Sequence, residues 1–371
     1  DFLIKEKRDK YLNAVTALIG LVMAAVQLVR FWRGSLLPIP YTGFGGSVAV
    51  DSFAIYFKLI IVLATALVCL ISAKYLEIEE AHFGEYYALL MFSAVGMMFM
   101  ASGRDLIVLF MALEVMALCE YVLTGFLRGN RRSNEAAMKF FLLGAFSSGL
   151  LLYGMSLLYG LSGSTNLAMI AERLSERPSV DPLSWMAMIT LLAGLFFKVA
   201  AVPFHQWTPD AYEGAPTSIT AFISVAPKAA SFAILLRILM SGLWPMREEW
   251  KVLTIGVAIA TMTLGNLAAI TQTNIKRFFG YSTISHVGYL LLGLVAAAEG
   301  NPVYFVLGGV FGILPDTIDF KFRRFFVRHD IEVMPDPNKP DTQMIADAVA
   351  HAVNRAHASD RPVTIKLNTV P

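Results

Sequence analysis

Nine apolar runs, each near the ~20 residues that a helix needs to cross a bilayer, dominate the chain. They lie at roughly 12–31, 51–74, 85–102, 105–127, 136–161, 183–202, 217–241, 250–271 and 280–298. Of its 371 residues 56% are hydrophobic and 16% charged, and mean hydropathy is +0.60. A soluble globular chain carries about 25% charged residues. Long apolar runs and a charge deficit together give an all-α polytopic membrane protein. A tenth apolar run, 303–314, is too short to cross, at about 1.5 Å per residue, and reads as a partial span.

Loop charge sets the orientation. With the N-terminus inside, the inner segments hold eleven Lys and Arg, including Lys5, Arg8, Lys74, Arg128, Arg131, Arg132, Lys139, Lys276 and Arg277. The outer segments hold seven: Arg30, Arg33, Arg104, Arg173, Arg177, Arg247 and Lys251. The bias favours N-inside. A net charge of +2 gives no nucleic-acid footprint. Cys69 and Cys119 both lie inside apolar runs, with no Cys or His at ligand spacing, and read as small apolar filler. The chain opens Asp-Phe-Leu-Ile-Lys without a Met and reads as a fragment.

Composition changes after about residue 314, which divides the chain into a membrane domain, 1–314, and a soluble tail, 315–371. Within the tail, 342–358 has the pattern of an amphipathic helix and Val363–Leu367 that of a short strand. Asp316, Asp319, His329, Asp330, Asp336 and Asp341 supply potential metal ligands, but their spacing matches no metal signature.

The chemistry centres on Gly194–Lys228. Lys198 and Lys228 lie in apolar flanks, and between them Pro203, Pro209, Gly214 and Pro216 interrupt the helical pattern. A charge at the bilayer centre costs about 2.5–3.5 kcal/mol on insertion scales. Irregular backbone at that depth survives only where protein or water covers it. A discontinuous helix near 198–210 is therefore predicted. Lys228 is too deep in its span to snorkel easily, and Pro227 loosens the helix one turn back. Lys198 admits two readings, a lysine that loads and releases a proton or one snorkelling from a span end.

Glu114 lies near the centre of its span, where a carboxylate needs a partner or a proton. Glu120, about 240° further round the helix and nearer the span end, falls outside this main set. The polar segment from His205 to Pro216 reads either as a lining of a water-filled path or as an interfacial loop with Trp207 and Tyr212 as belt aromatics. His205 titrates near neutral pH. Lys276 and Arg277 open a span as anchors, with Lys276 a secondary candidate for the proton path, and His286, about two turns in, is a candidate relay. No Gly-rich phosphate loop, Cys cluster or nucleophile elbow is present.

The stretches FKVAAVPFHQWTPDAYEGAPTSITAFISVAPKAA and NLAAITQTNIKRFFGYSTISHVGYLLLG resemble the antiporter-like membrane subunits of proton-translocating NADH-quinone oxidoreductase, respiratory complex I, a family shared with multisubunit Na⁺/H⁺ antiporters. The resemblance covers about 10–300. It implies an antiporter-like helix bundle in which Glu114 is the membrane glutamate, Lys198 the lysine of the discontinuous helix and Lys228 the lysine of the next helix. It also implies that separation of the Glu114–Lys198 pair drives proton transfer.

The resemblance further implies a multi-pass inner (plasma) membrane subunit whose partners are the other membrane subunits of complex I and the lipid bilayer. It implies no cofactor in this chain, with NADH, flavin, iron–sulfur clusters and quinone on other subunits. The expected function is a non-redox, proton-translocating role in quinone reduction. The alternative is a subunit of a cation/proton antiporter without redox chemistry. Family members carry further spans in inverted repeats, including a later lysine absent here, so the expectation is an incomplete membrane domain joined to an unrelated tail.

Overall fold

Short polar side chains set where the helices begin. Asp51, Asp105, Asn130, Asn166 and Asp181 each accept a hydrogen bond from a backbone N–H of the first helical turn that follows. The computed structural model describes residues 11–34, 40–79, 84–177 and 181–298, with the backbone of 332–333 and 366–367. Helix α1 (Tyr11–Trp32) is followed by an antiparallel hairpin, β1 (Tyr41–Gly43) and β2 (Val48–Val50), with Tyr41 opposite Val50. Then come α2 (Ser52–Ile78), α3 (Gly84–Ser102), α4 (Leu106–Thr124), α5 (Arg131–Ser162) and the short α6 (Leu167–Ser175). Helices α7 (Pro182–Val199), α8 (Trp207–Gly214), α9 (Thr217–Arg237), α10 (Arg247–Ile270) and α11 (Ile275–Ala298) complete the bundle. A π-helical turn, Ile238–Gly242, extends α9.

Among the described residues nine helices are long and apolar enough to cross a membrane: α1–α5, α7 and α9–α11. They match the nine runs in the sequence. Two ends differ. Helix α5 starts at Arg131 rather than 136, because Asn130 caps it and its first, polar turn lies at the water end. Helix α7 stops at Val199 rather than 202, because Ala200 turns left-handed (φ +67°). The hairpin and α6 had no sequence forecast, since three-residue strands and a nine-residue helix carry too little periodic pattern.

Hydrogen bonds sort the helix ends into two polar layers. At one end Arg104 N donates to Ser47 O (2.8 Å), Leu106 N to Thr165 O (2.8 Å) and Leu167 N to Arg104 O (2.9 Å). Arg237 joins this layer through a fork of bonds to both Asp51 oxygens (2.8 and 2.7 Å) and a third to Ala101 O (3.0 Å). At the other end Ser133 Oγ donates to Thr124 O (2.7 Å), and Arg277 reaches Asp210 (2.6 Å) and Glu213 (3.1 Å). Consecutive spans thus run in opposite directions, and N-inside orientation makes the first layer the outer one.

Helices α5 and α7 pack closely. A Cβ on Gly154 would lie 2.5 Å from Leu191 N, and one on Gly194 would lie 2.6 Å from Leu151 Cβ. Small residues let two backbones approach where lipid offers no hydrophobic drive for association. Helix α9 is enclosed by α2, α3, α4, α7 and α8. Exposed apolar side chains such as Val22 on α1, Phe146 on α5 and Val252 on α10 form faces suited to lipid.

The chain divides into two units, Asp1–Gly309 and Val310–Pro371. In the second, β3 (Glu332–Val333) pairs in parallel with β4 (Lys366–Leu367). The run 303–314, the helix forecast at 342–358 and the six Asp and His residues at 316–341 lie outside the described residues.

Two outcomes are expected. A Cys at exposed Thr42 should react with an impermeant maleimide only from outside, and one at exposed Thr271 only from inside. Second, burial pushes the Asp51 carboxyl up, but bonds from Arg237 and the Ala54 N–H outweigh it and hold it below its ordinary range. Such a carboxylate stabilises fully above its unfolded value, about 3.9, and less as pH falls through its folded value. Arg237→Met should therefore lower the melting temperature at pH 7 and flatten its fall in acid. The loss should be under the about 3–5 kcal/mol of a fully buried pair, because the Asp51 side chain is 26% exposed.

Candidate functional site

The site is built where α7 breaks. A non-Gly residue in the left-handed region costs about 1–2 kcal/mol, and Pro203 has no N–H to continue a helix. The Val202–Pro203 peptide is cis. Ala200 N and Ala201 N close the helix end on Phe197 O (3.0 Å) and Phe196 O (2.9 Å). Trp207, the first residue of α8, then donates its Nε1–H to the same Phe197 carbonyl at 2.9 Å. The indole stacks on Phe140 of α5, with centroids 4.3 Å apart and planes at 8°. The Phe197 carbonyl at the break thus accepts from both a backbone N–H and an indole.

Lys198 is the penultimate residue of α7 and is buried. Its Nζ donates to Tyr121 Oη of α4 at 3.3 Å and lies 5.7 Å from that ring's centroid. The snorkelling reading does not hold for this geometry, because the ammonium points into the bundle. Glu114 and Glu120, both on α4, are its acidic neighbours. Glu114 is half-buried and accepts a hydrogen bond from Ser148 Oγ of α5. The adjacent Ser147 donates to Gly194 O of α7 (3.2 Å). Helix α5 therefore holds α4 and α7 by consecutive serines. Gly144 of α5 makes room for the Tyr121 hydroxyl; any Cβ there would overlap it.

Lys228, buried on α9 just after Pro227, places Nζ 5.7 Å from the Tyr212 ring of α8. Helix α8 thus touches both lysine neighbourhoods, through Trp207 at one end and Tyr212 at the other. Trp207 and Tyr212 are 4% and 1% exposed, so they are not belt aromatics. Most of the segment from His205 to Pro216 is helical rather than an interfacial loop. The inner end of α8 is held by charge: Asp210 bridges Lys139 of α5 (3.0 Å) and Arg277 of α11, and Arg277 also meets Glu213. These groups, with Arg132 and Glu135, line a cleft of about 220 Å³.

The secondary candidates lie apart. His205 sits in the break, half-buried, with Nδ1 buried and lacking a hydrogen-bond partner among the described residues. Lys276 Nζ donates to Ala215 O (2.9 Å) and so fastens the end of α8. It and Arg277 grip a neighbouring helix rather than the membrane surface. His286 packs 6.2 Å from Tyr289 on its own helix. Among the described residues no group of three or more His, Cys, Asp or Glu is placed to hold a metal.

Sequence reasoning missed Tyr121, Ser148, Gly144 and the burial of Glu120. Tyr121 was within reach: seven residues beyond Glu114, it returns to nearly the same face at about 3.6 residues per turn. Ser148 and Gly144 carry no periodic signal.

Residues 103–313 match the family described as NADH:quinone oxidoreductase/Mrp antiporter, TM, and contain Glu114, Lys198 and Lys228. The match runs past residue 299, where the resemblance had been expected to end. NADH-quinone oxidoreductase subunit N 1 of Koribacter versatilis is 55% identical over 307 residues, 81% of this chain and 60% of that protein. Subunit N 2 of Solibacter usitatus is 59% identical over 258 residues, 70% of this chain and 52% of that protein. The chain therefore spans little more than half the length of these relatives. A chain of respiratory complex I from Thermus thermophilus, solved with bound aureothin, superposes with a TM-score of 0.70 at 32% identity, covering 85% of this chain and 66% of that one. With nine helices among the described residues long and apolar enough to cross a membrane, and with its broken α7, this chain belongs to the NADH:quinone oxidoreductase/Mrp antiporter membrane family.

Proposed function

We propose that the chain is a membrane subunit of a proton-translocating NADH-quinone oxidoreductase, set in the inner (plasma) membrane among the other membrane subunits of complex I. Residues 1–314 form its membrane domain, and 315–371 a separate tail. NADH, flavin, iron–sulfur clusters and quinone are bound by other subunits. The observation that carries this reading is two lysines, Lys198 and Lys228, 7% and 6% exposed, on either side of a broken helix. Intramembrane ionisable groups mark ion pathways. The printed names of the relatives support the same assignment.

Glu114, Lys198 and Lys228 are the proton-carrying groups in this reading. In this reading a proton moves on from Lys198 when it and Glu114, which is held by Ser148, move apart. Tyr121 fixes where the amine rests meanwhile. Lys228, across α8, is the next group able to take a proton, and the ring of Tyr212 steadies its charged form.

The test uses inverted membrane vesicles in which the complete complex carries this chain. Lys198→Ala and Glu114→Ala are each expected to reduce protons moved per NADH oxidised several-fold, with Glu114→Asp retaining part of the activity. Unchanged pumping overturns the site. Cation exchange without NADH oxidation would place the chain with the antiporters.

A further inference from the structure

Helix α4 brings a second carboxyl to the broken helix. Glu120 is 3% exposed, more enclosed than half-buried Glu114, and its Oε1 has no hydrogen-bond partner among the described residues. It adjoins Tyr121, the residue that accepts the hydrogen bond of Lys198. The ionisable groups near it are Lys198 from α7, with Cys119 and Tyr121 on its own helix.

Its level in the membrane differs from that of Glu114. Six residues separate them, about 9 Å along the axis at about 1.5 Å per residue. Glu120 lies four residues from the inner end of α4. Two buried hydroxyls lie between that level and the inner layer, each bonded to a backbone carbonyl: Thr124 Oγ1 donates to the main-chain oxygen of Glu120 (2.8 Å), and Ser133 Oγ to that of Thr124 (2.7 Å). Ser133 begins the turn of α5 that also carries Arg132 and Glu135, which line the inner charged cleft.

A structural role alone explains this carboxyl poorly. A buried polar atom without a partner costs about 1–3 kcal/mol, and a leucine would fill the same space without that cost. A buried carboxyl is tolerable as a neutral acid or as an anion facing a cation. The lysine opposite offers that cation when charged and a base when neutral.

We propose that Glu120 is the inner-side proton donor to Lys198, so that Lys198 works between two carboxyls, Glu120 towards the inner surface and Glu114 towards the bilayer centre. In this step the Glu120 O–H bond breaks and an N–H bond forms on the neutral Lys198 amine, leaving a carboxylate facing an ammonium. A proton from inner water then restores the acid. No other reactant is consumed.

The inference rests on the proposed proton-translocating function, and its test separates the two. In proteoliposomes of the complete complex carrying this chain, Lys198→Ala is measured beside Glu120→Gln, Glu120→Asp and Glu120→Leu. Glu120→Gln and Glu120→Leu are expected to lower protons moved per NADH several-fold with the complex still assembled, and Glu120→Asp to restore most of it. Infrared difference spectra on turnover should contain a carboxyl band that disappears in Glu120→Gln. If Lys198→Ala pumps normally, the functional reading fails. If Lys198→Ala is impaired while Glu120→Gln pumps normally with the same carboxyl bands, or if Glu120→Leu matches the parent, Glu120 is not the donor.

Discussion

One hydrogen bond, from the Trp207 indole to the Phe197 carbonyl, ties the start of α8 to the end of the broken helix. Inside a bilayer an open carbonyl has no solvent to turn to. At the end of α7 the Phe197 carbonyl accepts from Ala200 N and from the indole, a donor that accepts nothing in return, and stacking on Phe140 holds the indole there. The neighbouring Lys198 side chain donates to Tyr121 and lies near the carboxyls of α4.

The rest of the site follows from holding α8 in place. Its inner end is fixed by ion pairs with α5 and α11, Trp207 bonds the end of α7 next to Lys198, and the ring of Tyr212 lies beside Lys228. Helix α5 supplies the counter-support through three neighbouring positions: Gly144 admits Tyr121, Ser147 bonds α7 and Ser148 bonds α4. The close approach of Gly154 and Gly194 keeps α5 and α7 in the register those bonds require. The outward faces of α1, α5 and α10 carry exposed apolar side chains.

Much of the fold was legible because bilayer thickness imposes one length on every span. The nine runs, and the break before Pro203, could be read from hydropathy and proline alone. Lys198, Lys228 and Glu114 stood out for the same reason, as charges where charge is costly. What the sequence concealed depends on which helices touch. Glu120 looked peripheral by its angle from Glu114 and its distance from the span centre, yet α7 comes down beside it. Trp207 and Tyr212 looked like belt residues because the belt is where such aromatics usually sit, and only the fold of α8 turns them inward. Gly144 matters solely because a tyrosine hydroxyl from another helix lies over it.

The central claim is that the Trp207–Phe197 bond keeps the break poised for proton transfer at Lys198. Trp207→Phe tests it most directly, since phenylalanine retains an aromatic face for Phe140 and removes only the donor. In the complete complex the account predicts normal assembly and NADH oxidation with a several-fold drop in protons moved per electron pair. An unchanged proton yield from an assembled Trp207→Phe complex would contradict it.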